Sequence, residues 1–190
     1  MKAAFKSVAL ALLLFGGTRA PLAWAEPGWS PEFERQVKIG FLYNFAKFIE
    51  WPSGAVPESS APFTVGVVGD DSFCDALEET LRGKTINSRP VVVRKLLGAE
   101  LDNPGQILFI SPSLGKEVPT VLARVRNAPV LTVGDMMDFA ALGGVINFKI
   151  EEHRVRFEIN IDAAQRAGLQ VSSQLLAIAT VVHDARPGSR

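Results

Sequence analysis

Four short apolar runs punctuate the middle of the chain. They are Phe63–Val68, 90–93, Ile107–Ile110 and 130–133, each stopped by small or polar residues such as Gly69-Asp70-Asp71, Ser111-Pro112-Ser113 and Gly134-Asp135. Runs of this length, apolar on both sides, predict strands of a parallel sheet covered on each face. Between them the spacing turns helical. Helices are predicted over 72–82, with Leu77 and Leu81 inward and Gly83 as the stop, over 114–126, and over a short stretch after Asp135 to about Leu142. Ahead of the first strand, Ser30 and Pro31 open a helix predicted to run to Glu50, with Phe33, Val37, Phe41, Phe45 and Phe48 as its apolar stripe.

The last third follows a different rule. Ile146, Phe148 and Ile150 alternate with Asn147 and Lys149, and Val155, Phe157 and Ile159 alternate with Arg154, Arg156 and Glu158. Period-two alternation predicts an antiparallel hairpin with one wet face. Asp162 is read as the cap of a short helix over 163–167, and Ser172 or Ser173 as the cap of a last helix to Val182. The expected fold is α/β: a mostly parallel open sheet with helices on both faces and a C-terminal antiparallel hairpin.

The opening residues read as a secretory leader. Lys2 and Lys6 precede the run 8–15, which falls short of the roughly 20 residues that span a bilayer, and Ala23-Trp24-Ala25 offers a cleavage site after Ala25. The expected organisation is a leader over 1–25, one domain over 26–185 and a disordered tail over 186–190, with the mature protein in the periplasm. The leader carries Lys2, Lys6 and Arg19 and no acid. Removing it from 20 basic and 20 acidic side chains leaves 17 against 20, a net charge of −3. A mildly acidic chain lacks the basic face that nucleic-acid binding needs.

Chemistry-bearing motifs are sparse. His153 falls at a turn and His183 at a helix end, with no nucleophile motif, no paired metal-ligand spacing and no phosphate loop, so no catalytic residue, metal or cofactor is assigned. Asp70-Asp71, Asp135 and Asp138 are read as caps and loop residues rather than metal ligands. The lone Cys74 is read as a buried thiol, with an intermolecular bridge as the alternative. Two surfaces remain. Ligands of open parallel sheets bind beyond the carboxyl ends of the strands, so Asp70, Ser111, Ser113 and Asp135 could hold a small polar ligand, or simply cap their helices. The charged face of the 153–160 strand, with Arg166 and Leu169 nearby, could dock a protein or be a solvated edge guarded by charge.

The order of segments resembles the YfiR family. The likeness is carried by 41–52 (FLYNFAKFIEWP), 65–71 (VGVVGDD), 106–111 (QILFIS), 130–133 (VLTV) and 143–148 (GGVINF). It continues through 154–160 (RVRFEIN), Ala163-Ala164, Ala167-Gly168-Leu169, Ser172-Ser173 and Leu175-Leu176. The resemblance implies a periplasmic, non-catalytic repressor. Its expected partner is the periplasmic domain of an inner-membrane diguanylate cyclase or a sensor kinase, with control of cyclic di-GMP and biofilm. An outer-membrane lipoprotein that sequesters the repressor, a homodimer and a small-molecule ligand are further expectations from the family. It also implies partner contacts at Phe157, Glu158, Arg166 and Leu169. The family's best-known member carries two disulfides. Here Cys74 matches one cysteine position, but Gln106 stands where its partner is expected and the hairpin pair is absent, so each missing bridge would forgo roughly 2–4 kcal/mol. The rival reading is a periplasmic small-molecule-binding sensory module built on the strand-end crevice.

Overall fold

The computed structural model describes residues 29–55 and 61–184. The proposed leader and the tail lie outside them. In chain order the elements are α1 (Pro31–Phe48), β1 (Ile49–Glu50), β2 (Phe63–Val68), α2 (Asp71–Leu81), β3 (Thr85–Ile86) and β4 (Arg89–Lys95). They continue with β5 (Ile107–Ile110), α3 (Val118–Val125), β6 (Leu131–Gly134), β7 (Ile146–Glu151) and β8 (Arg154–Asn160). The last are α4 (Ile161–Arg166), β9 (Gln170–Val171), α5 (Ser173–Leu176) and β10 (Thr180–Val182).

Eight strands form one sheet in the order β10-β8-β7-β6-β5-β2-β4-β3. The pairs β4-β2, β2-β5, β5-β6, β6-β7 and β8-β10 are parallel, and β7-β8 and β3-β4 antiparallel. This is the expected α/β architecture. Chain connections leave β2 toward β4 on one side and return to β5 on the other, so the strand order reverses between β2 and β5, the place where such sheets open a crevice. β1 and β9 make a separate two-stranded patch, with Ile49 opposite Val171.

The faces differ in what covers them. On one, α1, α2, α4 and α5 lie over Phe63, Val65, Val67, Phe109, Ile146 and Phe148. Phe45 is fully buried there, with Phe148 and Phe157 rings 5.7 and 5.1 Å away. Aromatic pairs at this spacing add to their area burial. On the other face α3 supplies Val118, Val121, Leu122 and Val125 against Leu108 and Ile110, and the loop after β6 adds Phe139. Gly134 and Gly144 bracket that ring: an added Cβ would stand 2.6 and 2.1 Å from it.

Several expectations need correction. Ser30 caps α1, accepting from Phe33 N at 3.1 Å. The face it buries, however, is Lys38, Ile39, Leu42, Phe45 and Ala46, while Phe33 is exposed. Of the expected stripe, Phe45 is central to the core and Val37, Phe41 and Phe48 pack against it partly buried, while Lys38, Ile39 and Leu42 join the buried face unforeseen. The run 114–126 splits into a 3-10 segment, Pro112–Glu117, and α3, because Gly115 leaves helical geometry and Pro119 fits only a first turn. Residues 136–143 form consecutive turns rather than a helix. α4 begins two residues earlier than expected and is capped by Asn160, not Asp162. The last expected helix stops at Leu176, and β10 follows as a parallel partner of β8. The β7-β8 hairpin holds. Glu152 and His153 take φ values of 49° and 57°, the left-handed pair a tight primed turn requires even without Asn-Gly.

Candidate functional site

The strand-end crevice forms where expected, from partly different residues. Asp70 follows Gly69, whose φ is +87°, and its Oδ1 accepts from Phe73 N at 2.9 Å and Ser72 Oγ at 3.0 Å, capping α2. Ser111 is buried and accepts from Ser113 N at 3.2 Å. Ser113 Oγ donates to Gly69 O, tying together the two loops that leave the sheet in opposite directions. Asp135 meets α1 instead: Lys38 Nζ lies 2.7 Å from its Oδ2 and 2.6 Å from Glu34 Oε1. The amide expected after β6 is also taken, since Met136 N donates to Asn147 Oδ1 at 3.2 Å.

A 160 Å³ crevice results, lined by Glu34, Arg35, Lys38, Asp70, Phe73 and Asp135. The structure therefore brings Asp70 and Asp135 together and leaves Ser111 and Ser113 as capping and loop-linking groups. α1 was missed as a wall. The available signal was Glu34 and Lys38 four residues apart, a spacing that puts both on one helix face. Burial acts to lower Lys38, and Asp135 and Glu34 together more than offset it, so the ammonium is held above its ordinary range. Burial pushes the Asp135 carboxyl up, opposed by Lys38. Asp135 Oδ1 is buried and makes no hydrogen bond among the described residues. On the opposite face the same loops border a 320 Å³ pocket, walled mostly by apolar residues such as Val68, Leu96, Leu101, Leu114 and Val121, with Glu117, Thr120 and Arg124 also in its lining.

The C-terminal residues are distributed differently from the expectation. Phe157 is 3% exposed and packs against Phe41 and Phe45. Glu158, expected on the exposed strand face, is buried. It accepts from Asn147 Nδ2 at 3.0 Å and pairs with Lys149 Nζ at 2.8 Å. Arg154 and Arg156 do remain exposed. Leu169 is buried at the wall of a 310 Å³ pocket shared with Ile161, Ala164 and Leu176.

Arg166 is the one of the four that reaches a surface cleft, where its guanidinium is clamped to both oxygens of Asp184. Asp184 also accepts from Asn160 Nδ2 at 2.9 Å. Asp162, not needed as a cap, accepts from Asp184 N and meets His183 Nδ1, each at 3.0 Å. The Arg166 hydrogen bond holds the Asp184 carboxyl below its usual range, and His183 does the same for Asp162. Together these groups fasten the end of β10 to α4. The residues that do present apolar surface here are Ile178, 63% exposed, and Val181, 46% exposed. Sequence reasoning had turned both into helix positions.

The remaining sequence assignments fall into structural roles. Cys74 is a free, buried thiol, and burial raises it. Gln106 is buried and its Oε1 accepts from Thr64 N at 2.7 Å, so it supports β2 from its own strand end.

A mainly parallel sheet with a reversal point, a charged crevice at its strand ends and exposed apolar side chains beside its β10 edge define an α/β domain. Residues 35–180 match the model of the family DUF4154, described as YfiR/HmsC-like, and the chain belongs to that family. Its members are periplasmic regulators of cyclic di-GMP signalling and are not known as enzymes. Among the described residues no helix is long and apolar enough to cross a membrane. Among solved structures, the chain is similar to a conserved domain protein of Vibrio cholerae O1 biovar El Tor str. N16961. The TM-score is 0.54 at 11% identity, over 75% of this chain and 59% of that one. That likeness concerns the fold, and the chain spans less than two thirds of that protein's length. A second structure, the ABC domain in complex with L-Trp from Streptococcus pneumonia, overlaps at a TM-score of 0.45 with 13% identity, over 67% of this chain and 57% of that one. At that score it bears on nothing further.

Proposed function

We propose that this protein works in the periplasm, after removal of a leader ending near Ala25, by binding the periplasmic domain of an inner-membrane diguanylate cyclase. Binding holds cyclic di-GMP synthesis down. The observation that carries the reading is the family match over 35–180. The disposition of the polar groups supports it. The crevice charges compensate one another, and the candidate chemistry at the C-terminal end is a docking surface, not a reaction centre. Repression requires tighter binding to the enzyme's inactive state, because equal affinity for both states shifts nothing. Phe157, Glu158 and Leu169 then act by shaping the C-terminal face from beneath, and Arg166 by fixing its border. A homodimer and sequestration by an outer-membrane lipoprotein belong to the same reading. Cells lacking the protein should hold more cyclic di-GMP and form more biofilm, and restoring it should reverse both. Unchanged levels in the deletion strain would refute the repressor role.

The 320 Å³, mostly apolar pocket favours a second reading, a small-molecule-binding sensory module acting on another membrane signalling protein such as a sensor kinase. Its walls suit an apolar ligand better than the small polar one expected at Asp70, Ser111, Ser113 and Asp135. Calorimetric screening of apolar metabolites against the Val121→Trp variant would test it, since a filled pocket must lose the heat of binding.

A further inference from the structure

The sheet has two edges, and they are finished differently. The β3 edge is two residues long, and Tyr43 donates from its hydroxyl to Thr85 O at 3.0 Å. Lys84 sits beside the strand with its ammonium 5.6 Å from the Tyr43 ring, and the turn that follows uses Asn87 and Ser88 at φ values of 50° and 65°. Short length, a covering side chain and a flanking cation are the usual guards against pairing. The β10 edge is also short, at three residues, but no side chain is bonded across it among the described residues. Between Arg166 and His183 the chain carries no charged side chain and no proline. Thr180, Val181 and Val182 are β-branched, pair with Glu158, Ile159 and Asn160 on one side, and have no other hydrogen-bond partner among the described residues. Ile178 and Val181 stand exposed on this segment.

We infer that β10 is a docking edge for an extended segment of the regulated membrane protein, which adds to the sheet as a further strand. The inference rests on the regulatory reading above. Three features select this occupant. The chain's own remaining residues do not serve: 185–190 contain Pro187-Gly188 and two arginines, 56–60 contain Pro57, and the apolar run 8–15 belongs to the leader that the proposed function removes. A second copy paired through the edge alone would engage three residues on each side, against about 20–30 in a stable interface. An extended segment can do more. Leu176, in the turn that leads into β10 and where Ala179 N donates to Leu176 O at 3.3 Å, also lines the 310 Å³ pocket, so that pocket lies within a few residues of the edge. Main-chain bonds along β10 would supply affinity, and a side chain in that pocket specificity. The segment must be uncharged and apolar or β-branched where it meets Ile178 and Val181.

The test mixes the mature chain with the purified periplasmic domain of a diguanylate cyclase encoded in the same genome. Amide exchange and binding are followed for wild type, Ile178→Lys and Val181→Lys. Both side chains are exposed, so the variants should melt as wild type does. The expected result is slowed exchange at 180–182 on binding and affinity weakened about tenfold or more in each variant. Should either variant fail to fold, the wild-type exchange pattern alone decides. Binding with unchanged exchange at 180–182 overturns the edge while leaving the regulatory reading intact. No binding by wild type overturns that reading and the edge with it. If the chain alone self-associates and already protects 180–182, the occupant is a second copy and the inference is wrong.

Discussion

The two ends of the sheet teach opposite lessons about buried polarity. At the β2-β5-β6 end, the charged groups of the crevice are answered from within the chain: Asp70 by the amides of α2, and Asp135 by Lys38. The β8-β10 end is also rich in polar groups, Asn147, Glu158, Asn160, Arg166 and Asp184, but they serve to fix a strand whose outer side stays open. Each end leaves one buried atom without a hydrogen bond among the described residues, Asp135 Oδ1 in the crevice and Arg166 Nε beside β10, while the bonds that are made rigidify what they hold. One end therefore closes on itself, while the other holds an unpaired edge rigid for something outside the chain.

The aromatic cluster joins both ends, and removing it should have the largest effect. Phe45→Ala, at a fully buried site, should cost about 3–5 kcal/mol in urea denaturation. A loss confined to the β7-β10 region would instead mean the two ends unfold separately. Next comes the crevice. Lys38→Met strands Asp135 and Glu34 in a part-buried site and should cost about 2–3 kcal/mol, with Asp135→Asn restoring part of it in the double variant. Additive losses would mean the crevice is less self-contained than its 2.7 Å ion pair implies. Asn160→Ala removes the α4 cap and the bonds to Ala140 O and Asp184, and should cost about 1–3 kcal/mol. Its NMR exchange broadening should centre on 180–184, because Asn160 both pairs with Val182 and bonds Asp184, leaving Arg166 and Asp162 to hold that end.

The smallest expected effect comes from acid. Asp162 and Asp184 titrate below their ordinary range, so their contribution is complete above the unfolded carboxylate value of about 3.9. It is lost as pH falls through the lower folded values. Resonances of β10 should shift before those of the core as pH falls below about 4. Earlier movement of the β2-β5 loops would reverse the comparison.

Legibility followed the same division. Strands with apolar residues on both faces, such as 63–68 and 107–110, could be read directly, and the alternation over 146–151 and 154–160 located the hairpin, but its wet face is only partial: Asn147, Glu158 and Asn160 are buried and Ile150 is exposed. The site was legible as far as its residues belong to those strands. Asp135 was placed at the crevice, but its partner Lys38 comes from an element about a hundred positions earlier, and no local pattern announces that contact. The segment 173–182 was misread for a physical reason. Leu175, Leu176, Ala179 and Val182 fit a helical stripe, yet pairing with β8 offers Thr180–Val182 a ladder that local propensity does not contain. Asn160 displaced Asp162 as a cap because the β8 strand ends on it, and that exchange freed Asp162 for the β10 clasp.

The most direct measurement adds the mature chain to vesicles that carry the full-length diguanylate cyclase with its periplasmic domain outward and GTP inside. Cyclic di-GMP output should drop in proportion to the chain added and level off once every cyclase is occupied. Output that stays flat at every concentration, with folded chain and active enzyme, would contradict regulation by direct binding.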